Sequence, residues 1–186
     1  MNSLQEQFIL WQIRKGKTEV FGSIYDTYNR QIHRYLEFRL PSQQDADDVT
    51  SQVFLKCYEY ALDKNRPGIE NIQAFLYRLA RNSAADFYGD KKRREVSVAD
   101  PSVHERPEHN RDDEEEDNYV VRRAEYQLLL ARSLQDLKPE YREVILMRYN
   151  DAMSLEQIAE VLNKSEGTVR VLLHRAREAL KKRTKE

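Results

Sequence analysis

Between Asp100 and Asn118 the chain reads DPSVHERPEHNRDDEEEDN, and no single hydrophobic core can be built through it. Nine of these residues are acidic (Asp100, Glu105, Glu108, Asp112, Asp113, Glu114, Glu115, Glu116 and Asp117), two are basic, two are proline, and Val103 is the one large aliphatic side chain. Such a stretch cannot bury enough apolar surface to offset the entropy of ordering it, so a flexible tether is expected. The 186 residues therefore divide into two small modules, 1–95 and 121–186, with an acidic linker over 96–120.

Five glycines and five prolines are too few for the many turns of a sandwich or barrel, and no alternating strand pattern stands out. The expected class is all-α, two small helical domains. No apolar run approaches the ~20 residues of a membrane span, so membrane insertion is not expected. No basic segment precedes the first apolar stretch, which argues against a secretion signal. A single cysteine, Cys57, fits a reducing, cytoplasmic setting.

The formal charge of −1, from 31 Lys+Arg and 32 Asp+Glu, conceals an uneven distribution. Arg78, Arg81, Lys91, Lys92, Arg93 and Arg94 precede the acidic stretch, against Asp86 and Asp90. From Lys164 onward there are eight basic residues against three glutamates. One such cluster is commonly a solvated helix face. Two clusters on two modules point to a polyanion.

Helical spacing supplies the elements. Val20, Ile24, Tyr28, Ile32, Tyr35, Leu36 and Leu40 mark a helix over 19–40, stopped at Leu40-Pro41. A second is expected from Gln44 or Asp45, with Val49, Val53, Phe54, Cys57, Tyr60 and Ala61 inside. DKNRPG (63–68) is a loop, and a third helix runs from Asn71 into Lys91–Arg94. Phe8, Ile9, Trp11 and Ile13 suggest a short N-terminal helix. Beyond the linker, Val121 to Leu137 marks a helix ending before Pro139, and a segment over 141–149 follows. SLEQIAEVL (154–162) opens with Ser154 and Gln157 spaced as a capping box. A break, NKSE, leads to GTVRVLLHRAREALKK.

Two short helices about a tight turn, the second rich in Arg, form a helix-turn-helix pattern. The second helix of that motif lies in the major groove, and its early residues here are Ser165, Glu166, Thr168, Arg170, Val171 and His174. Arg170 suits guanine, Glu166 suits cytosine, and Val171 or the Thr168 methyl suits thymine. Arg175, Arg177, Lys181 and Lys182 are placed for phosphates. Val169, Leu172, Leu173, Ala176 and Leu180 are expected inside.

With these residues in view, the block LKPEYREVILMRYNDAMSLEQIAEVLNKSEGTVRVLLHRAREALKK (137–182) resembles region 4 of the extracytoplasmic-function sigma factors of the bacterial sigma-70 family, which reads the −35 promoter element. DADDVTSQVFLKCYEYA (45–61) resembles region 2.2, and NIQAFLYRLARNSAADFYGDKKRR (71–94) resembles regions 2.3 and 2.4. The resemblance implies an RNA polymerase specificity subunit without an active site, cofactor or metal of its own. Its implied partners are core RNA polymerase (the β′ clamp coiled coil and the β flap), promoter DNA and an anti-sigma factor. Asp47, Asp48, Ser51, Gln52 and Phe54 would meet the polymerase. Lys64, Asn65, Arg66 and Asn71 would form the pocket for a flipped −10 base. Arg78, Arg81, Asn82 and Asp86 would continue that surface on a face distinct from Phe75, Leu76 and Leu79, with Lys91, Lys92, Arg93 and Arg94 on backbone phosphates. The loop Asn65-Arg66-Pro67-Gly68 departs from the usual family pattern, which leaves the −10 sequence open.

The acidic linker has two readings, a solvated spacer or a mimic of nucleic acid in the polymerase's RNA path. A rival function for the whole chain is a stand-alone DNA-binding regulator, which would need no polymerase-docking helix over 45–61. Gly16-Lys17-Thr18 is no P-loop, because Trp11 stands at the required earlier glycine. The four histidines lack zinc-ligand spacing.

Overall fold

The computed structural model describes residues 3–95, 133–134 and 136–183, with side chains up to residue 89 in the first stretch. The expected linker 96–120 and most of the helix expected over 121–137 lie outside the described residues. No strand occurs among the described residues, and the chain divides into two compact units, Met1–Arg106 and Pro107–Glu186.

In the first unit, α1 (Ser3–Arg14) leads through Gly16, at φ +91°, into a 3-10 turn over Thr18–Phe21. Gly16 takes a left-handed conformation that costs a side chain-bearing residue energy. Helix α2 (Gly22–Glu37) follows, so the helix expected over 19–40 is shorter and opens with this tighter turn. Ser42 then caps α3 (Gln43–Leu62): its extended backbone presents Oγ to the amide of Asp45 at 3.1 Å. The helix starts at Gln43, one or two residues before the expected Gln44 or Asp45. After the 63–71 loop comes α4 (Ile72–Glu95).

The core gathers Ile13 from α1, Ile24, Ile32 and Leu36 from α2, Val53 and Cys57 from α3, and Ile72, Leu76 and Tyr77 from α4, all closed to solvent. Helix α1 docks by an unexpected face. Its buried residues are Glu6, Leu10 and Ile13, while Phe8 and Trp11 are more than half exposed and stack on each other with ring centroids 5.9 Å apart. The buried Glu6 carboxylate accepts a 2.5 Å hydrogen bond from the hydroxyl of Tyr28. That partner makes a carboxylate tolerable in the core.

In the second unit Pro139 opens α5 (Pro139–Ile145), at a position where its missing N–H costs nothing. The helix widens into a π turn over Leu146–Asn150. Helix α6 (Leu155–Leu162) begins with the full capping box: Ser154 Oγ accepts from the Gln157 amide at 3.1 Å, and Gln157 Oε1 accepts from the Ser154 amide at 2.7 Å. Asn163 ends it in the left-handed conformation, φ 52° and ψ 50°. Helix α7 (Glu166–Arg183) starts at once, so the break is Asn163–Ser165. Val144, Met147, Met153, Ile158, Val169 and Ala176 close the core around these helices. Leu172 and Leu180, expected inside, are half-buried.

Candidate nucleic-acid interface

Helix α3 turns Asp47, Asp48, Ser51 and Gln52 to solvent, as their spacing requires once Val49, Val53 and Cys57 face the core. Asp47 is anchored across helices: its Oδ1 lies 2.7 Å from Nε2 of His33, whose Nδ1 is 3.6 Å from Glu37. Ser51 donates back to the Asp47 carbonyl at 3.0 Å. Phe54 does not belong to this surface. It is 3% exposed, with its ring edge-on to Tyr25 at 4.8 Å, because it sits one residue past Val53 on the inward stripe. The apolar residue on the polar face is Leu55, 56% exposed and seven positions from Asp48. Sequence reasoning passed over it, although two-turn spacing from Asp48 was the available signal.

The 63–71 loop is organised by Asp63. Its Oδ1 accepts from the Asn65 amide at 3.0 Å and its Oδ2 from Arg66 Nε at 3.1 Å, which folds the turn back on itself. Lys64, Asn65 and Arg66 are exposed. The Arg66 guanidinium lies 5.0 Å over the ring of Tyr60, which is itself 4.6 Å from the Phe75 ring. Arg66 and Tyr60 also line a cavity of about 400 Å³, with Lys56, Glu59, Asp63 and Leu79.

Of the four residues expected to build a base pocket, Arg66 lines this cavity. Lys64 and Asn65 are on the loop outside the lining, and Asn71 is a helix cap whose Oδ1 accepts from the Ala74 amide at 2.8 Å. The lining residues missed are Tyr60 and Leu79, both read as core, Glu59, Asp63 of the loop, and Lys56, whose ammonium donates to Ser83 Oγ at 3.0 Å. An aromatic ring with an arginine over it is a surface on which a flat, unpaired base can stack.

Along α4, Asn82 and Asp86 are exposed, while Arg78 and Arg81 are half-buried. Arg78 is not on a face apart from Phe75: its guanidinium lies over that ring at 5.6 Å, drawn there by the three-residue spacing. Lys91, Lys92, Arg93 and Arg94 continue the backbone of α4, and their side chains lie outside the described set.

On α7 the buried and the expected base-reading positions fall on different faces, with Leu172 and Leu180 half-buried at the margin. Val169, Leu173 and Ala176 are buried, whereas Ser165, Glu166, Thr168, Arg170, Val171, His174, Arg175 and Arg177 are all exposed. Arg170, His174 and Arg177 follow one another at helical spacing, and Val171 beside them is 51% exposed. Ser165 caps the helix, accepting from the Thr168 amide at 3.2 Å, with its hydroxyl 2.9 Å from that of Thr168. The two hydroxyls are therefore engaged with each other, leaving the Thr168 methyl, Val171 and the charged side chains as the distinctive chemistry of the face.

Two family models match the chain, Sigma-70 region 2 over residues 24–94 and Sigma-70 region 4 over residues 127–180. The chain is 30% identical to the ECF RNA polymerase sigma factor SigW of Bacillus subtilis, over 94% of both chains. It is 28% identical to the ECF RNA polymerase sigma-E factor of Escherichia coli K12, over 95% of this chain and 93% of that one. Among solved structures it is similar to the sigma factor RpoE of Bartonella quintana, in complex with the anti-sigma factor NepR. That likeness has a TM-score of 0.63 at 19% identity, over 89% of this chain and 96% of the other.

Proposed function

We propose, from the premise that this chain belongs to the extracytoplasmic-function sigma factors of the sigma-70 family, a division of labour between its two units. It is an RNA polymerase sigma factor, a specificity subunit without catalysis of its own, and it directs transcription initiation. Its partners in this reading are core RNA polymerase and promoter DNA. The exposed face of α3, Asp47, Asp48, Ser51, Gln52 and now Leu55, docks on the β′ clamp coiled coil. The second unit contacts the β flap and lays α7 in the major groove of the −35 element. The 63–71 loop and α4 receive the melted −10 strand, with one unpaired base over Tyr60 and Arg66. By analogy with the Bartonella quintana complex, an anti-sigma factor holds the free protein.

The observation that carries this reading is the exposed face of α7, where Arg170, His174 and Arg177 follow at helical spacing with Val171 beside them. A single exposed valine is ordinary on a surface, but here it stands beside Arg170, so the face offers an apolar contact for a thymine methyl next to a fork for guanine. No helix among the described residues is long and apolar enough to cross a membrane.

The test is binding of the purified chain to core polymerase, together with a variant in which Asp48 and Gln52 are changed to Ala. Tight binding that the variant loses supports the assignment of α3. An intact chain that binds DNA but not core polymerase would make it a stand-alone regulator.

A further inference from the structure

Helix α1 lies outside both matched regions, yet it is tied to the 63–71 loop by four hydrogen bonds from two side chains. Arg14 donates through one guanidinium nitrogen to the carbonyls of Arg66 and Pro67, each at 2.9 Å. Gln7 donates through its amide nitrogen to the carbonyls of Ile69 and Glu70, at 2.9 and 2.8 Å. These contacts join residues 52 to 63 positions apart. They also reach four of the five backbone carbonyls between Arg66 and Glu70.

The loop has little else to hold it. Ile69 is its one buried residue between Lys64 and Glu70. On the other side Arg66 reaches Asp63 and the ring of Tyr60. The loop backbone is thus gripped by α1 while its arginine side chain is held by Asp63 of the loop and the Tyr60 ring of α3, and both grips meet at Arg66, on the lining of the cavity that Tyr60 shares. Side chain-to-backbone bonds at the surface contribute little to the stability of a whole domain. They decide the conformation of a segment with few buried contacts, because such a segment opens on its own.

We infer that Gln7 and Arg14 are positioning residues for promoter recognition: they set the form of the 63–71 loop in which Arg66 stands over Tyr60. The inference rests on the proposed reading that this loop meets the −10 strand. It assigns to α1 a share in sequence choice that belongs to neither family model region.

The experiment uses the full chain assembled with core polymerase. Gln7→Ala, Arg14→Ala and Arg14→Lys are compared with the parent on a promoter and on single-base variants of its −10 and −35 segments. The expected result for both alanine variants, each of which loses two hydrogen bonds to the loop, is that discrimination at one −10 position falls by about tenfold. Discrimination in the −35 segment, affinity for core polymerase and the melting temperature stay at parent values. Arg14→Lys, which keeps the charge but not the fork, recovers part of the lost discrimination. Unchanged −10 discrimination in Gln7→Ala and Arg14→Ala, with or without a uniform loss of activity, overturns the inference. Arg66→Ala separates the two levels. If Arg66→Ala alters −10 discrimination and the α1 variants do not, the positioning role alone is wrong. If Arg66→Ala leaves it intact as well, the loop is not the reader, and both readings fall.

Discussion

Cys57 and Tyr28 show how burial sets the chemistry of single residues here. Burial in the first unit's core pushes the Cys57 thiol from 9.0 up to about 12. The folded chain then keeps its proton where the unfolded chain loses it. Stability should therefore fall as pH rises through 9 towards 12, by at most ~1.4 kcal/mol per pH unit. Urea midpoints at pH 8 and 10 check this, since Cys57→Ala should show a shallower decline than the parent. A disulfide-forming reagent should label Cys57 only as the first unit unfolds.

The Tyr28 phenol is raised above its ordinary value by burial, and next by the Glu6 carboxylate to which it donates. Tyr28→Phe leaves that carboxylate in the core without its hydroxyl donor, at a cost of ~1–3 kcal/mol measurable by urea unfolding. Arg170 belongs to the same scale. Arg170→Ala should weaken recognition of one −35 base pair by ~1–3 kcal/mol in binding to single-base promoter variants. An equal loss on every sequence would show that it touches only phosphate.

At the scale of elements, what the sequence made legible was whatever local periodicity controls. The stripes of α3 and α4, the capping box of α6 and the inward Val169, Leu173 and Ala176 of α7 all follow from 3.6-residue spacing and one-turn contacts. The box is worth a direct check: Ser154→Ala removes the acceptor for the Gln157 amide and should cost ~1 kcal/mol in the melting of the second unit. Helix α1 shows the limit. Its Phe8 and Trp11 look like core in a list of apolar residues, but the docked face buries Leu10 and Ile13 together with Glu6, whose carboxylate meets Tyr28 twenty-two positions away. No local pattern carries that pairing. The same holds for the base pocket. Asn71 is spent on a helix cap and Arg78 lies on Phe75, while Tyr60, read as core, meets Arg66 at the cavity. Sequence placed the loop, and tertiary packing chose which side chains line it.

At the scale of the whole molecule the distribution of charge matters more than its sum. A net charge of −1 would make a poor DNA ligand if it were spread evenly. The exposed basic face of α7 instead sits on one unit, while the acids of Asp112–Asp117 stand between the two family regions. Two consequences separate the readings of that acidic run. As a spacer it only sets reach, so replacing its six acids by Asn and Gln should leave initiation unchanged once holoenzyme has formed. As a stand-in for nucleic acid in the polymerase's RNA path, it competes with the growing transcript. Neutralising it then removes a ligand that the RNA must displace, and the ratio of abortive to full-length product should fall. The same change takes six negative charges from the free chain, so its non-specific DNA affinity should rise under either reading, and more steeply at low salt. Abortive ratios measured on one promoter at fixed salt, with holoenzyme preassembled, isolate the first effect from the second. A ratio equal to the parent's would leave the run as a spacer.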